Sequence, residues 1–269
     1  MVRHDYCFCY FVIIPLSNYF YAIAMPRIKP AEFKAWNERM IHKYDPDAFH
    51  RHPNPLVRFI ERKRVKAIFQ LIKTIPGDRI LEVGCGAGNV IQQSRGGRLF
   101  GVDISELVLL KAKKRLKEKA HLFQGDAQNL PVKGRVFSHV ICSEVLEHLL
   151  EPSMTLNEIS RVLLQEGVAV VSIPNERWIN RLKGILVHLG IFHWFLNRHG
   201  DYREMPKRME DEWHLHTYSL EGWLDLFKKS FEVKYVKKVP FFWLPLRYVV
   251  RLETQKTNVY GQCPTNYER

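Results

Sequence analysis

Continuous apolar runs at 79–84, 98–102, 120–124, 136–142 and 167–173 alternate with stretches whose apolar residues recur every three or four positions. Short unbroken apolar runs belong to strands buried on both faces, and the longer period between them belongs to helices packed on one side. Strands and helices alternating through short connections predict right-handed crossovers and a parallel sheet. Two later runs, 231–238 and about 247–254, predict further strands. Ahead of the first strand, Pro30 to Ile75 reads as mostly helical. Phe59, Ile60, Val65, Ile68, Phe69, Leu71 and Ile72 supply its apolar face, with Arg62, Lys63, Arg64 and Lys66 beside it. Pro53 and Pro55 divide this stretch, because proline ends a helix or begins a new one.

Two segments stand apart from the alternation. Between Pro174 and His216, Trp178, Ile179, Leu182, Ile185, Leu186, Leu189, Ile191, Phe192, Trp194, Phe195 and Leu196 are spaced as one or two apolar-faced helices, with Arg177, Arg181, Lys183 and Arg198 at the margin. A basic helix with Trp, Phe and Leu opposite suits either a lid or a segment lying on a membrane. The loop from Val239 to Leu246 adds Phe241, Phe242 and Trp243. At the other end, Tyr6 to Ala24 is an apolar, aromatic leader. Its pattern is signal-like but broken by Pro15, and it is read as an extension ahead of a start at Met25 or as a membrane-touching segment. The domain plan is a leader at 1–24, a helical cap at 25–75, and a main α/β domain at 76–269 with a lid insertion at about 174–216.

The first strand ends in Glu82-Val83-Gly84-Cys85-Gly86-Ala87-Gly88. Alternating glycines after a strand let backbone N–H groups and a helix start approach a polar ligand. The spacing G-x-G-x-G, with an acid two residues before the first glycine, differs from the G-x-G-x-x-G of nicotinamide sites. The second strand ends in Asp103, placed to take both hydroxyls of a ribose. Asp126 follows the third strand, where a carboxylate can meet an adenine amino group.

These motifs, in this order, resemble the class I S-adenosylmethionine-dependent methyltransferases over about residues 76–173, and in particular the ubiquinone- and menaquinone-biosynthesis type. The resemblance implies an α/β, Rossmann-like, mostly parallel seven-stranded sheet with a reversed last strand and helices on both faces. It implies that Glu82 meets the methionine end of the cofactor and that Gly84, Cys85, Gly86 and Gly88 form the close-approach loop, Cys85 as a small buried residue. It also implies ribose contact by Asp103, adenine packing by Ile104, adenine-edge contacts by Asp126 and Ala127, and Cys142 and Ser143 beside the amino acid moiety.

The candidate chemistry lies in Ser143-Glu144-Val145-Leu146-Glu147-His148. On a helix, Glu144, Glu147 and His148 at i, i+3 and i+4 share one face. This segment resembles that of metal-assisted O-methyltransferases, including ubiquinone-pathway enzymes and small-RNA 2′-O-methyltransferases, in which a later histidine completes a divalent-cation site. His214 and His216 are the candidates for that ligand. The preferred reading has His148 as base or orienting group for an acceptor hydroxyl, without metal; the alternative is a cation on Glu144, Glu147, His148 and His214. Tyr44, His50 and His52 in the cap could approach the site, although surface histidines without a ligand are the plainer expectation.

The formal charge of +13 favours an anionic neighbour such as phospholipid, a phosphorylated substrate or nucleic acid. The lysines from Lys111 to Lys119 are explained by the solvated face of a helix that turns Leu107, Leu110 and Leu116 inward. Five cysteines without paired spacing fit a reducing compartment. The expected function is O-methylation of a hydrophobic or lipid-linked small molecule by a cytoplasmic protein, peripheral at the membrane. RNA 2′-O-methylation is the rival, disfavoured because the aromatics cluster with aliphatics rather than with arginines. A non-catalytic cofactor-binding scaffold is the rival of another class.

Overall fold

The computed structural model describes residues 28–45, 47, 50–192 and 213–255. Its seven strands are β1 (Arg79–Val83), β2 (Arg98–Asp103), β3 (Ala120–Gln124), β4 (Phe137–Ser143), β5 (Leu163–Pro174), β6 (Phe231–Pro240) and β7 (Pro245–Thr254). They form one sheet in the order β3-β2-β1-β4-β5-β7-β6, and every neighbouring pair up to β5 is parallel. β7 runs antiparallel to both β5 and β6, which is the reversed last strand expected from the resemblance. β5 starts at Leu163, four residues before the apolar run that predicts it.

Among the described residues, six helices pack around this sheet: α1 (Pro30–Tyr44), α2 (Pro55–Leu71), α3 (Glu106–Leu116), α4 (Pro152–Val162), α5 (Glu176–His188) and α6 (Leu220–Phe227). Local chemistry sets their starts. Proline opens α1, α2 and α4, where its missing N–H costs nothing. Asn54, Ser105, Asn175 and Ser219 cap α2, α3, α5 and α6 through their side-chain oxygens.

Each face of the sheet has its own core. On one, Phe33 and Trp36 of α1 and Leu156 and Ile159 of α4 cover Leu81, Val83, Val140 and Cys142. On the other, Val65 and Ile68 of α2 and Ala112 and Leu116 of α3 cover Ile80, Ile141 and Val170. The inward stripe of α3 is Val108, Ala112 and Leu116. Of the three leucines expected to face inward, only Leu116 does so; Leu107 and Leu110 are exposed. The i, i+4 series from Val108, not the leucine spacing, faces inward, and its Ala112 and Leu116 lie against the bare Gly88 of the glycine loop.

In the insertion, α5 buries Lys183 and Leu186, whereas Ile185 and Leu189 are exposed. Lys183 was expected at the margin, yet it lies four residues after Ile179 and three before Leu186, on the packed side. Trp194, Phe195, Leu196 and Arg198 lie outside the described residues, as does the leader 1–24. Among the described residues, no helix is long and apolar enough to cross a membrane.

Candidate active site

The chain reverses its winding direction between β1 and β4, and open α/β sheets bind ligands at the carboxyl ends of strands at such a point. A cavity of about 280 Å³ lies there. Its floor is built from Glu82, the loop Gly84 to Ala87, Asp103, Ile104, Asp126, Ala127 and Ser143. α1 and α2 roof it with Phe33, Ile41, Tyr44, Glu61 and Arg64, and Glu147, His148, Trp213 and His214 close one side.

The glycines have different roles. A Cβ on Gly84 (φ +68°) would overlap the Val145 side chain, and one on Gly88 (φ +78°) would come within 2.7 Å of Leu116 Cδ1. Gly88 does not line the cavity: its bareness admits α3, a packing role rather than the expected contact with cofactor. Gly86 (φ +50°) has no atom within 4 Å of a built Cβ, so open space remains above the loop for a ligand.

Asp103 clamps the loop as well as facing the cavity. Gly86 N–H donates to its Oδ2 at 2.8 Å and Ser105 N–H to its Oδ1 at 2.9 Å. Burial nevertheless raises its pKa to about 6, against the effect of those bonds. Glu82 is almost wholly buried, and Ile91 N–H donates to its Oε2 at 3.0 Å. Burial pushes it to about 8, although Arg64 and that bond favour its charged form. Gln128 N–H donates to Asp126 Oδ1 at 2.9 Å, fixing that carboxylate in a tight turn at the cavity edge. Cys142 does not reach the cavity. The side-chain alternation of β4 turns it into the core, and only Ser143 faces the site.

Sequence reasoning missed the polar machinery of the cap. Arg64 and Glu61 of α2 are both buried and paired at 2.7 Å, and Arg64 also donates to Ser143 Oγ. Burial alone would raise Glu61, but Arg64 outweighs it and holds the carboxyl near about 2. The available signal was position: Arg64 lies four residues before Ile68, in the buried stripe rather than beside it. Glu38 of α1 accepts from Ser105 Oγ at 2.9 Å and Glu106 N–H at 3.1 Å, tying the cap to the start of α3. Asp47 holds Arg115 and Asn89 in the same way. Tyr44 and His50 line the cavity, whereas His52 is a buried structural group whose Nδ1 accepts from Asn54 N–H.

The expected helical face of Glu144, Glu147 and His148 does not form. Glu144 sits at φ +55°, and only Leu146–His148 makes a single 3₁₀ turn. Glu144 turns instead to Arg247 (2.5 Å) and to the Ser172 hydroxyl, which donates to it at 3.0 Å. His216 is also drawn away, donating from Nε2 to Leu149 O at 2.8 Å. The fold brings together Glu147, His148 and His214, whose ligand atoms all lie within 4.8 Å of one another. His148 Nδ1 donates to Trp213 O (3.0 Å) and His214 Nδ1 meets Glu176 Oε1 (2.7 Å), so a hydrogen bond orients each imidazole. Burial lowers His148 well below its usual pKa, helped by His214, and raises Glu147 well above its own.

Residues 81–171 match the family described as methyltransferase domain. A demethylmenaquinone methyltransferase of Symbiobacterium thermophilum is 32% identical over 142 residues, covering 46% of this chain and 56% of the relative. A ubiquinone biosynthesis O-methyltransferase of Rhodopseudomonas palustris is 23% identical over 216 residues, 72% of this chain and 81% of the relative. Several curated relatives, including the first of these, are matched over only 56% to 63% of their own length. The crystal structure of the N-methyltransferase NodS of Bradyrhizobium japonicum with S-adenosylhomocysteine aligns with a TM-score of 0.56 at 16% identity, covering 83% of this chain and 98% of that one. Residues 81–171 thus form a methyltransferase domain, and the chain shares the fold of S-adenosylmethionine-dependent methyltransferases, the class its motifs resemble. Several of the relatives it resembles are named for the methylation of quinone precursors.

Proposed function

We propose that the protein transfers a methyl group from S-adenosylmethionine to a hydroxyl oxygen of a hydrophobic, lipid-linked small molecule, at the cytoplasmic face of a membrane. When bound, S-adenosylmethionine supplies an electrophilic methyl on a cationic sulfur. Glu82 and the open loop at Gly86 would hold its amino acid end, with Arg64 and Ser143 nearby. Asp103, Ile104, Asp126 and Ala127 would hold the nucleoside.

The observation that carries an oxygen acceptor is His148. Neutral at physiological pH, it is oriented by the Trp213 carbonyl with Nε2 free to take a proton. A hydroxyl placed at that nitrogen becomes a better nucleophile as its proton leaves, and positioning supplies much of the remaining acceleration. Phe33, Ile41, Tyr44 and Trp213 give the cavity apolar walls that fit an aromatic or prenylated acceptor and keep water out. The names of the similar quinone enzymes support the same substrate class.

A second reading rests on Glu147, both of whose buried carboxylate oxygens have no hydrogen-bond partner among the described residues. With His148 and His214 alongside, and a second partner already on each imidazole, these three could ligate a divalent cation that would polarise the same hydroxyl. The test is methyl transfer to prenylated catechols and quinols with the full chain, with magnesium or manganese and with a chelator. Activity that survives chelation and is lost in His148→Ala supports the base. Activity abolished by chelation and restored by the metal supports the cation reading. No transfer to any hydroxyl, with cofactor bound, refutes oxygen as acceptor.

A further inference from the structure

The turn joining β6 to β7 exposes three consecutive aromatics: Phe241 at 37%, Phe242 at 80% and Trp243 at 59%. A contiguous exposed apolar patch marks a surface that meets a partner or a membrane. Phe241 and Trp243 stack on each other at 5.0 Å with planes 2° apart, and Phe241 reaches Phe59 of α2 at 6.0 Å. Lys63 lies over the Phe59 ring at 5.3 Å, so aromatic tip and helix form one surface with a cation at its margin. Register fixes its orientation. Arg247 of β7 pairs with Pro174 at the end of β5, so the turn sits at the carboxyl end of the parallel strands, where the cavity lies. The hairpin's acids, Glu232 and Glu253, pair with each other at its far end.

Charge on α2 extends the same surface. Arg58, Arg62 and Lys66 line a groove that Arg51, Arg95 and Arg115 complete. The one acid in it, Glu61, is buried and already paired with Arg64. Among the described residues, Arg58, Arg62, Lys66 and Arg95 form no ion pair, and Arg58 bonds only to the backbone carbonyls of His52 and Pro53. On a helix, positions 58, 62 and 66 adjoin 59 and 63 in one outward arc, half-buried at 58 and 59 and exposed at 62, 63 and 66.

We propose that the Phe241–Trp243 turn and the outward arc of α2 dock on an anionic phospholipid bilayer. The aromatics sit at the depth of the headgroups, and Arg58, Arg62, Lys63 and Lys66 meet lipid phosphates. Aromatic rings bordered by cations are the composition that partitions to that zone. A second copy of this chain is disfavoured by the like charge of two +13 surfaces. Single-stranded RNA is disfavoured because Phe241 and Trp243 cover each other's faces, on which bases would have to stack. Docking there turns the cavity end of the sheet toward the bilayer. The surface deepens the lipid-acceptor reading and rests on it for its purpose, but bilayer binding is measured without methyl transfer, so either can fail alone.

The test is sedimentation of the full chain with vesicles of phosphatidylcholine, with or without phosphatidylglycerol, at physiological salt. Two double variants are compared, Phe242→Ser with Trp243→Ser and Arg62→Glu with Lys66→Glu. S-adenosylhomocysteine binding serves as the folding control, since none of these residues lines the cofactor cavity. The wild type should bind the anionic vesicles at least about tenfold better than the neutral ones, and each variant should lose about tenfold of that. Equal binding by wild type and both variants would place membrane contact elsewhere and overturn the proposal. So would binding indifferent to phosphatidylglycerol, or capture of a single-stranded oligoribonucleotide through Arg62 and Lys66 without vesicle binding.

Discussion

Glu82 links the empty and filled states of the cavity through a single proton. Burial raises its pKa from 4.5 to about 8 in the folded protein without ligand. A raised folded-state pKa in an acid means that the folded state holds the proton more tightly than the unfolded chain does. The stability this provides is complete below about pH 4.5 and is lost as pH climbs through the window to about 8. At ~1.36 kcal/mol per pKa unit, the loss by pH 7 is on the order of 3 kcal/mol, approaching roughly 5 above pH 8. Glu82→Gln removes the titration while keeping an oxygen for the Ile91 N–H. The ligand-free variant should melt close to the wild type near about pH 5 and progressively above it toward about pH 8. Scanning calorimetry across that range reads the difference directly, and parallel melting curves would refute the argument by showing an ionised, well-solvated Glu82. With cofactor the preference reverses, because the cationic end of S-adenosylmethionine favours a carboxylate. Glu82→Gln should bind about tenfold more weakly, and wild-type affinity should tighten as pH rises toward 8.

Other residues give independent checks. Asp103→Asn weakens the clamp on Gly86 and Ser105 and should cost about 1–3 kcal/mol of cofactor affinity by calorimetry; unchanged affinity would remove Asp103 from the nucleoside site. His148→Ala should lower turnover by about 100-fold or more with cofactor affinity nearly intact, whereas equal loss of both would make His148 structural. Gly88→Ala adds a methyl 2.7 Å from Leu116 Cδ1 at φ +78° and should lose about 1–3 kcal/mol of stability in urea titrations. Gly86→Ala, with open space at its Cβ, should cost about 1 kcal/mol of stability and act mainly on cofactor affinity.

The sheet was readable because strands buried on both faces leave unbroken apolar runs, and because the acids and glycines at their ends mark where the chain turns toward the ligand. Boundaries and facings were less so. Leu163 begins β5 early because pairing of Phe137 with Leu163 extends the ladder past a register shift. Arg64 was counted among solvated cations, since periodicity alone does not say that a charge inside an apolar stripe has brought its own partner, Glu61. The Glu144 to His148 face failed for a backbone reason. A strand end that turns through φ +55° breaks helical spacing, and a carboxylate drawn to Arg247, more than 100 positions away in the chain, leaves no local trace. His214 came to the site through the same long-range closure, with Leu215 and His216 N–H both bonded to Glu147 O.

The position of β7 also bears on how the domain is made. Residues 245–254 fill the slot between β5 and β6, so each of those strands keeps an unpaired edge until the chain has been synthesised past Thr254. Translation therefore presents the mostly apolar β5 as an open template for foreign strands for as long as it takes to make some eighty further residues. Chains interrupted before Pro245 would be expected in the aggregated fraction, and a nascent domain would need either a chaperone or rapid completion to escape that fate.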